Sequence, residues 1–205
     1  MTNIAPYREH FNVCAVGFNG LRIDGLLRHV LTTYFSDDQN IKTLQLKGYV
    51  FRDDPTTTRI RIEPVYKWDP QLADKTPAII IKRGQIATAP AAINVGEITT
   101  YGIKVAGRIW QGSSELVCIS RNPAEAELLA EEVASIFWVH GSNIARYLRA
   151  QQLMVTNISP LQLITGSPVS LTACVVGLQY TFMDAAHTTS AGSARVKLNI
   201  SYVRS

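Results

Sequence analysis

The residues able to do chemistry are few and widely scattered. The four histidines, His10, His29, His140 and His187, are widely spaced, and His29 and His140 lie on predicted helices with no histidine or carboxylate at metal-ligand spacing, so they read as structural and no metal is expected. Cys14, Cys118 and Cys174 are odd in number, far apart and free of any CxxC pattern. Cys118 and Cys174 sit in the apolar runs Leu116–Ile119 and Ala173–Val176, where a thiol behaves as a small buried hydrophobe in a reducing compartment. No GxSxG or P-loop pattern is present, and Gly102 and Gly107 do not form a GxGxxG run, so no cofactor is expected. Gly17-Phe18-Asn19-Gly20 precedes a helical pattern. A helix entry there can bind an anion, but no strand-turn-helix fingerprint surrounds it. Asp53 and Asp54 stand before Pro55 in turn context. A catalytic carboxylate pair brought together only in space stays open.

The basic residues fall in small groups. Arg59 and Arg61 alternate on one predicted strand, as do Arg195 and Lys197. Lys82 and Arg83 end an apolar run, and Arg146 and Arg149 share a helical face. A nucleic-acid site calls for a dense cationic patch interleaved with aromatics. Here the net charge is +4 and aromatics make up 8%. These groups therefore read as solvated or subunit-contacting faces. Charged residues make up 18%, below the roughly 25% of ordinary domains, as expected of a surface partly covered by neighbouring subunits. With 46% apolar residues disorder is excluded. A chain of 205 residues can bury roughly 70% of its unfolded surface without staples. Met1–His10 lacks the pattern of a secretory signal, and no apolar run is long enough to span a membrane.

Periodicity supplies the elements that position these residues. Residues 1–19 read as an arm, and 20–205 as one domain. Ile23, Leu26, Leu27, Val30, Leu31 and Tyr34 form one face of a helix over Leu21–Phe35, with Asn19 as its cap. Strands are predicted over Leu46–Arg52 and Thr57–Tyr66, then over the β-branched run Ala78–Arg83. Gly84–Gly96 reads as a loop, Ile98–Trp110 as a bent strand, Gln111–Ser114 as a hairpin turn and Glu115–Ser120 as a buried strand. Asn122-Pro123 with Glu125 three residues on marks a second helix. Its stripe is Leu129, Val133, Ile136 and Phe137, with Glu131 and Glu132 on the wet side and Gly141 as the cap. Strands follow over Leu153–Ile158, Leu161–Ile164 and Val169–Phe182, then a polar loop Ala185–Ser193 and an alternating strand Ala194–Val203. The order predicts an α+β fold. It is a mixed, mostly antiparallel sheet with two main helices packed on it, plus an N-terminal arm and long loops.

Several stretches taken in order carry a resemblance. They are the amphipathic helix, the Trp68-Asp69-Pro70 loop, the strand Pro77–Gly84 ending in basic residues, the strand Ser114–Ser120 feeding the helix that opens Asn122-Pro123-Ala124-Glu125, and the strand Met154–Pro160 before the long closing strands. Over residues 20–205 this resembles the tail terminator, or tail completion, proteins of the neck of tailed bacteriophages. The resemblance implies a structural virion protein, not an enzyme, assembled in the host bacterial cytoplasm. It implies a homo-oligomeric ring, commonly a hexamer, that caps the head-proximal end of the tail tube. Its partners would be the tail tube protein and the head-tail connector proteins. DNA would pass through the lumen without sequence-specific binding. Arg59, Arg61, Lys82, Arg83, Arg146 and Arg149 are the candidate interface or lumen residues. The alternatives are another connector or tail protein, a nucleic-acid-binding module, and a small-molecule enzyme whose site forms only in space.

Overall fold

The computed structural model describes residues 20–69, 77–88, 95–100, 103–165 and 169–189. The expected arm 1–19 with its Asn19 cap, most of the loop after Asp69, and the strand 194–203 lie outside these residues. Helix α1 (Gly20–Phe35) is followed by strands β1 (Arg61–Pro64), β2 (Ala78–Thr88), β3 (Val95–Thr100) and β4 (Ile103–Ser120). Helix α2 (Pro123–Leu148) then leads to β5 (Gln152–Ile158), β6 (Gln162–Ile164) and β7 (Leu171–Thr189). The strands make one sheet in the order β1-β2-β4-β7-β5, with β3 beside β4 and β6 beside β7. Among the described residues only β1–β2 is parallel. This is the α+β fold that the element order predicts.

Both helices lie on one face of the sheet. On α1, Ile23, Leu27, Leu31 and Phe35 are buried, and Leu26, Val30 and Tyr34 pack at their flanks. That is the face set by the spacing. On α2, Asn122 accepts a hydrogen bond from the Ala124 N–H at 3.1 Å, and Pro123 takes the first turn. The helix covers β7 and β5, while α1 covers β1 and β2. At about 1.5 Å per residue α2 is about 39 Å long, somewhat longer than the ~34 Å of β4 between Trp110 and Ser120. One helix thus spans the body of the sheet. Register fixes which side chains meet it: Ile79 lies beside Cys118, and Cys118 beside Cys174. A smaller apolar cluster of Ala78, Ile80, Ile119, Leu171 and Ala173 lies on the opposite face, with Trp68, Ile164 and Val169 packed against it.

Several local expectations fail, each because tertiary pairing outweighs a local signal. Residues 46–52 do not form a strand. Leu44–Leu46 is a 3-10 turn, and beyond it the backbone bonds to neighbouring loops and the end of α1 instead of to a strand. Gly48 N–H donates to Asp38, Phe51 N–H to the Phe35 carbonyl at 2.8 Å and Arg59 N–H to the Val50 carbonyl, while the Tyr49 hydroxyl reaches Glu125 of α2. The strand expected over 57–66 shortens to β1, with Val65–Lys67 turning in 3-10 geometry directly after Pro64, whose ring stops the ladder. The loop expected from Gly84 begins later, because β2 continues to Thr88 against β4 after a bulge between Arg83 and Ile86. The bent strand expected over 98–110 is a reversal: Thr100 pairs with Ile103 across the hairpin of β3 and β4. Gln111–Ser114 does not turn. It runs straight through β4, hydrogen-bonded to β2 on one side and β7 on the other. The polar stretch from Ala185 starts as strand, since β7 pairs with β4 as far as Thr189. Helix α2 passes Gly141 and ends at Arg149, which takes the left-handed conformation (φ 56°). There the Ala150 N–H reaches the Ala145 carbonyl at 2.8 Å.

Candidate functional site

Strand alternation puts Arg61 and Glu63 of β1, Lys82 of β2 and Glu115 of β4 on the face turned away from the helices. Each cation there has its own carboxylate. Arg61 sits 3.0 Å from Glu63 and lies over the Trp68 ring, 5.6 Å from its centre. Lys82 Nζ donates to Glu115 Oε2 at 2.8 Å. The Lys82–Glu115 pair is exposed and of a kind that contributes about 0–1 kcal/mol, while the Arg61–Glu63 pair is half-buried; in both the cation's charge is offset. Beyond Lys82 and Glu115, on the side away from Arg61, the strands present uncharged groups. Gln85, Ala87, Gln111, Ser113, Thr156 and Gln179 line a shallow groove of about 280 Å³.

The other predicted basic residues lie elsewhere. Arg83 follows Lys82 and therefore faces the helix side, beside Asp24 and Tyr180. Arg59 is exposed ahead of β1, its N–H bound to the Val50 carbonyl at 3.1 Å. Arg146 and Arg149 are exposed at the C-terminal end of α2, and Arg149 itself closes the helix. Arg61 and Lys82 share a face, but Arg61 lies opposite Ala78, about 13 Å along the strand from Lys82. The fold does not gather the six into a patch.

What it takes into the interior are single carboxylates instead. Glu132, expected on the wet side of α2, is 3% exposed. Its Oε1 accepts from Lys42 N–H at 2.9 Å and from the Tyr34 hydroxyl at 2.5 Å. Its Oε2 accepts from Thr43 N–H at 3.1 Å and Thr43 Oγ1 at 2.6 Å. The Tyr34 hydroxyl is equally near the Asn40 carbonyl, and the charged acceptor is the stronger of the two. Burial pushes the Glu132 carboxyl up, but these donors outweigh it and hold the group below its ordinary value. Two turns earlier on the same side, Glu125 accepts from Tyr49 and Ser120. The hydrogen bond to Glu125, followed by burial, pushes the Tyr49 hydroxyl up to about 12. The pair fastens residues 40–49 along α2. Periodicity carried the signal for Glu132, which lies three residues after Leu129 and four before Ile136, inside the apolar stripe.

A third acid lies on α1. Asp24 is 7% exposed, and its Oδ1 is buried without a hydrogen-bond partner. Burial raises its pKa, and the Arg83 guanidinium opposes that rise. A carboxyl whose folded pKa is raised binds its proton more tightly in the folded chain. Its contribution to stability is present below the ordinary value of 3.8 and is lost as pH rises through the folded value. Asp24→Asn should therefore stabilise the chain at pH 7 by about 1 kcal/mol and leave it unchanged near pH 3. Urea unfolding at the two pH values reads the difference. Equal effects at both would contradict the assignment.

The described surface has a further property. Large apolar side chains stand exposed at both edges of the sheet. Val65 and Tyr66 (47% and 70% exposed) follow β1, while Ile158 and Leu163 (46% and 72%) lie on β5 and β6. Trp138 and Val139 (85% and 59%) stand on the outer side of α2. Among the described residues no group of three or more His, Cys, Asp and Glu side chains is placed to hold a metal, and no helix is long and apolar enough to cross a membrane. No family model matches the sequence, and no curated protein matches it.

Proposed function

We propose that the chain is the subunit of a structural ring at the neck of a tailed bacteriophage, capping the tail tube and joining it to the head connector. The observation that supports this most is the pair of apolar patches at opposite edges of the sheet, Val65–Tyr66 and Ile158–Leu163. A ring closes through one heterologous contact repeated around it, so each subunit needs two different surfaces on opposite sides. The edges themselves are blunted. Pro64 ends β1, Pro160 separates β5 from β6, and β5 bulges between Val155 and Asn157. Blunted edges resist open-ended strand pairing, which leaves side chains to make the contact. Trp138 and Val139 supply a third surface for a neighbour along the tail axis. DNA in the lumen would meet no phosphate grip from the paired Arg61 and Lys82. No reaction is assigned to the chain. The particle is its place of residence, and the host cytoplasm its place of assembly.

The heterologous contact has a specific test. Tyr66→Glu and Leu163→Glu each alter an exposed side chain and should leave folding stability within about 0.5 kcal/mol. The unaltered chain should form a closed ring by mass photometry, and each variant alone should stay monomeric. An equimolar mixture of the two variants retains one intact contact and should give heterodimers and nothing larger. Rings from either variant, or a monomeric parent, would count against the reading. Salt-dependent binding of duplex DNA by the parent would favour a nucleic-acid module instead.

A further inference from the structure

We propose that Cys118 and Cys174 are a thiol pair that closes into a disulfide between the two central strands when the protein leaves a reducing compartment. The two residues are direct partners in the antiparallel register of β4 and β7. Partners in such a ladder have Cα atoms about 4.5 or 5.5 Å apart, inside the roughly 4.4–6.8 Å that a disulfide spans. Both side chains belong to the core on the helix side of the sheet, so they leave their strands in the same direction. Both are free. In the reduced chain each sulfur is engaged with backbone: Cys118 Sγ lies 3.9 Å from the Leu116 carbonyl, and Cys174 Sγ donates to the Ser159 carbonyl at 2.9 Å. Closure requires Cys174 to rotate from Ser159 toward Cys118, exchanging one weak hydrogen bond for a covalent bond.

The chemistry balances with a small-molecule disulfide as oxidant. Each thiol gives up a proton. One cysteine sulfur attacks the oxidant and expels its first thiol. The second then attacks the mixed disulfide and expels the other, so one S–S bond forms in the protein as one breaks in the oxidant. Thiolate is the attacking form, and burial raises both thiols above their ordinary value. The closed core therefore slows the exchange, and the bond forms while the sheet is folding or transiently open. The long connection from Cys118 to Cys174 contains all of α2, β5 and β6. Tying its ends removes much unfolded-state freedom. The thiol pairing stands on geometry alone. Its use as a lock in released particles rests on the neck reading.

The test uses the full chain carrying Cys14→Ser, refolded from urea in reduced or oxidised glutathione and trapped with N-ethylmaleimide. In the oxidised buffer both remaining thiols should disappear together, with the mass falling by about 2 Da and a linked peptide containing Cys118 and Cys174. The thermal midpoint should rise by roughly 5–10 °C and return with dithiothreitol. Cys118→Ser in the same background should keep one titratable thiol and show no rise. Two reactive thiols after oxidative refolding, or linkage only between chains, would overturn the proposal. Thiol counting needs no ring, so a monomer that closes the bond upholds the pair even where the neck reading fails.

Discussion

Glu132→Ala should lower the unfolding free energy by about 3 kcal/mol, although the residue lies in a helix where alanine is the best former. The loss comes from the donors left behind. Two backbone N–H groups, from Lys42 and Thr43, and two hydroxyls, from Tyr34 and Thr43, converge on the one carboxylate. An apolar replacement leaves the two N–H groups and the Thr43 hydroxyl without this acceptor in a part-buried site, while the Tyr34 hydroxyl keeps only the Asn40 carbonyl. Glu132→Gln keeps the shape but turns an amide NH2 toward donors, and should cost roughly half as much. The pH dependence gives the sign. The folded-state pKa is held below the ordinary 4.5, so the stabilisation is fully present above that value and fades as pH falls through the folded value. The gap between the parent and Glu132→Gln should therefore be constant at neutral pH and shrink on acidification below about 4.5. Urea titrations across this range read it, and a gap that widened in acid would refute the placement. Hydrogen exchange should localise the damage: the amides of Lys42 and Thr43 should lose protection before those of β4.

Gly112→Ala should cost about 2 kcal/mol, against the usual expectation that alanine stabilises an extended strand relative to glycine. Gly112 lies opposite Tyr180 on the helix face of β4 and β7. An added Cβ would stand 3.0 Å from Cζ of the tyrosine ring and closer still to Cε2. The ring cannot yield. It is fully buried, packs edge-on against Phe182, and its hydroxyl donates to the Ser113 carbonyl at 2.9 Å with Ser114 Oγ at 3.3 Å. The glycine thus serves as the floor on which an aromatic lies across strands, a role distinct from turning the chain. A double-mutant cycle isolates the contact. Tyr180→Leu with Gly112→Ala should lose less than the sum of the single changes, with a coupling of at least about 0.5 kcal/mol. Additive losses would mean that the ring and the glycine do not meet.

Gly112 also shows where local reading stops. In Gln111-Gly112-Ser113-Ser114 the glycine and both serines favour a turn. The strand continues because ladders on both sides satisfy its backbone, and no window of sequence contains those partners. The same cause extends β2 past Gly84 and β7 past Ala185. Gly141 failed as a helix end for a related reason. Ile144, Ala145 and Leu148 beyond it are buried, and that packing is worth more than the propensity of one glycine. At Leu46–Arg52 the β-rich composition was real, but the backbone found Phe35, Asp38, Thr58 and Arg59 as partners, and the Tyr49 hydroxyl found Glu125 of α2, with no strand alongside.

The basic residues and the acids failed in opposite directions. Sequence picked out the cations, since a charge is visible in a string of letters. Neutralisation is not visible there. Arg61 and Lys82 meet Glu63 and Glu115 through strand proximity and register. Glu125, already placed as a helix-start residue, and Glu132 became the points that fasten a whole segment, because four residues distant in the chain arrive over them.

By itself, the sequence determined the α+β class, the two helices, the face each buries, the capped start at Asn122 and the burial of Cys118 and Cys174. Those features depend on periodicity and on contacts within a few residues, which a linear pattern records directly. Only the tertiary structure decided which strands pair, that the two cysteines stand opposite one another, that Glu132 is buried and Glu125 half-buried with both hydrogen-bonded, and that apolar side chains remain exposed at both sheet edges. Those depend on register and on partners as much as a hundred positions away along the chain. Their energies arise only when the backbone has already brought the groups together.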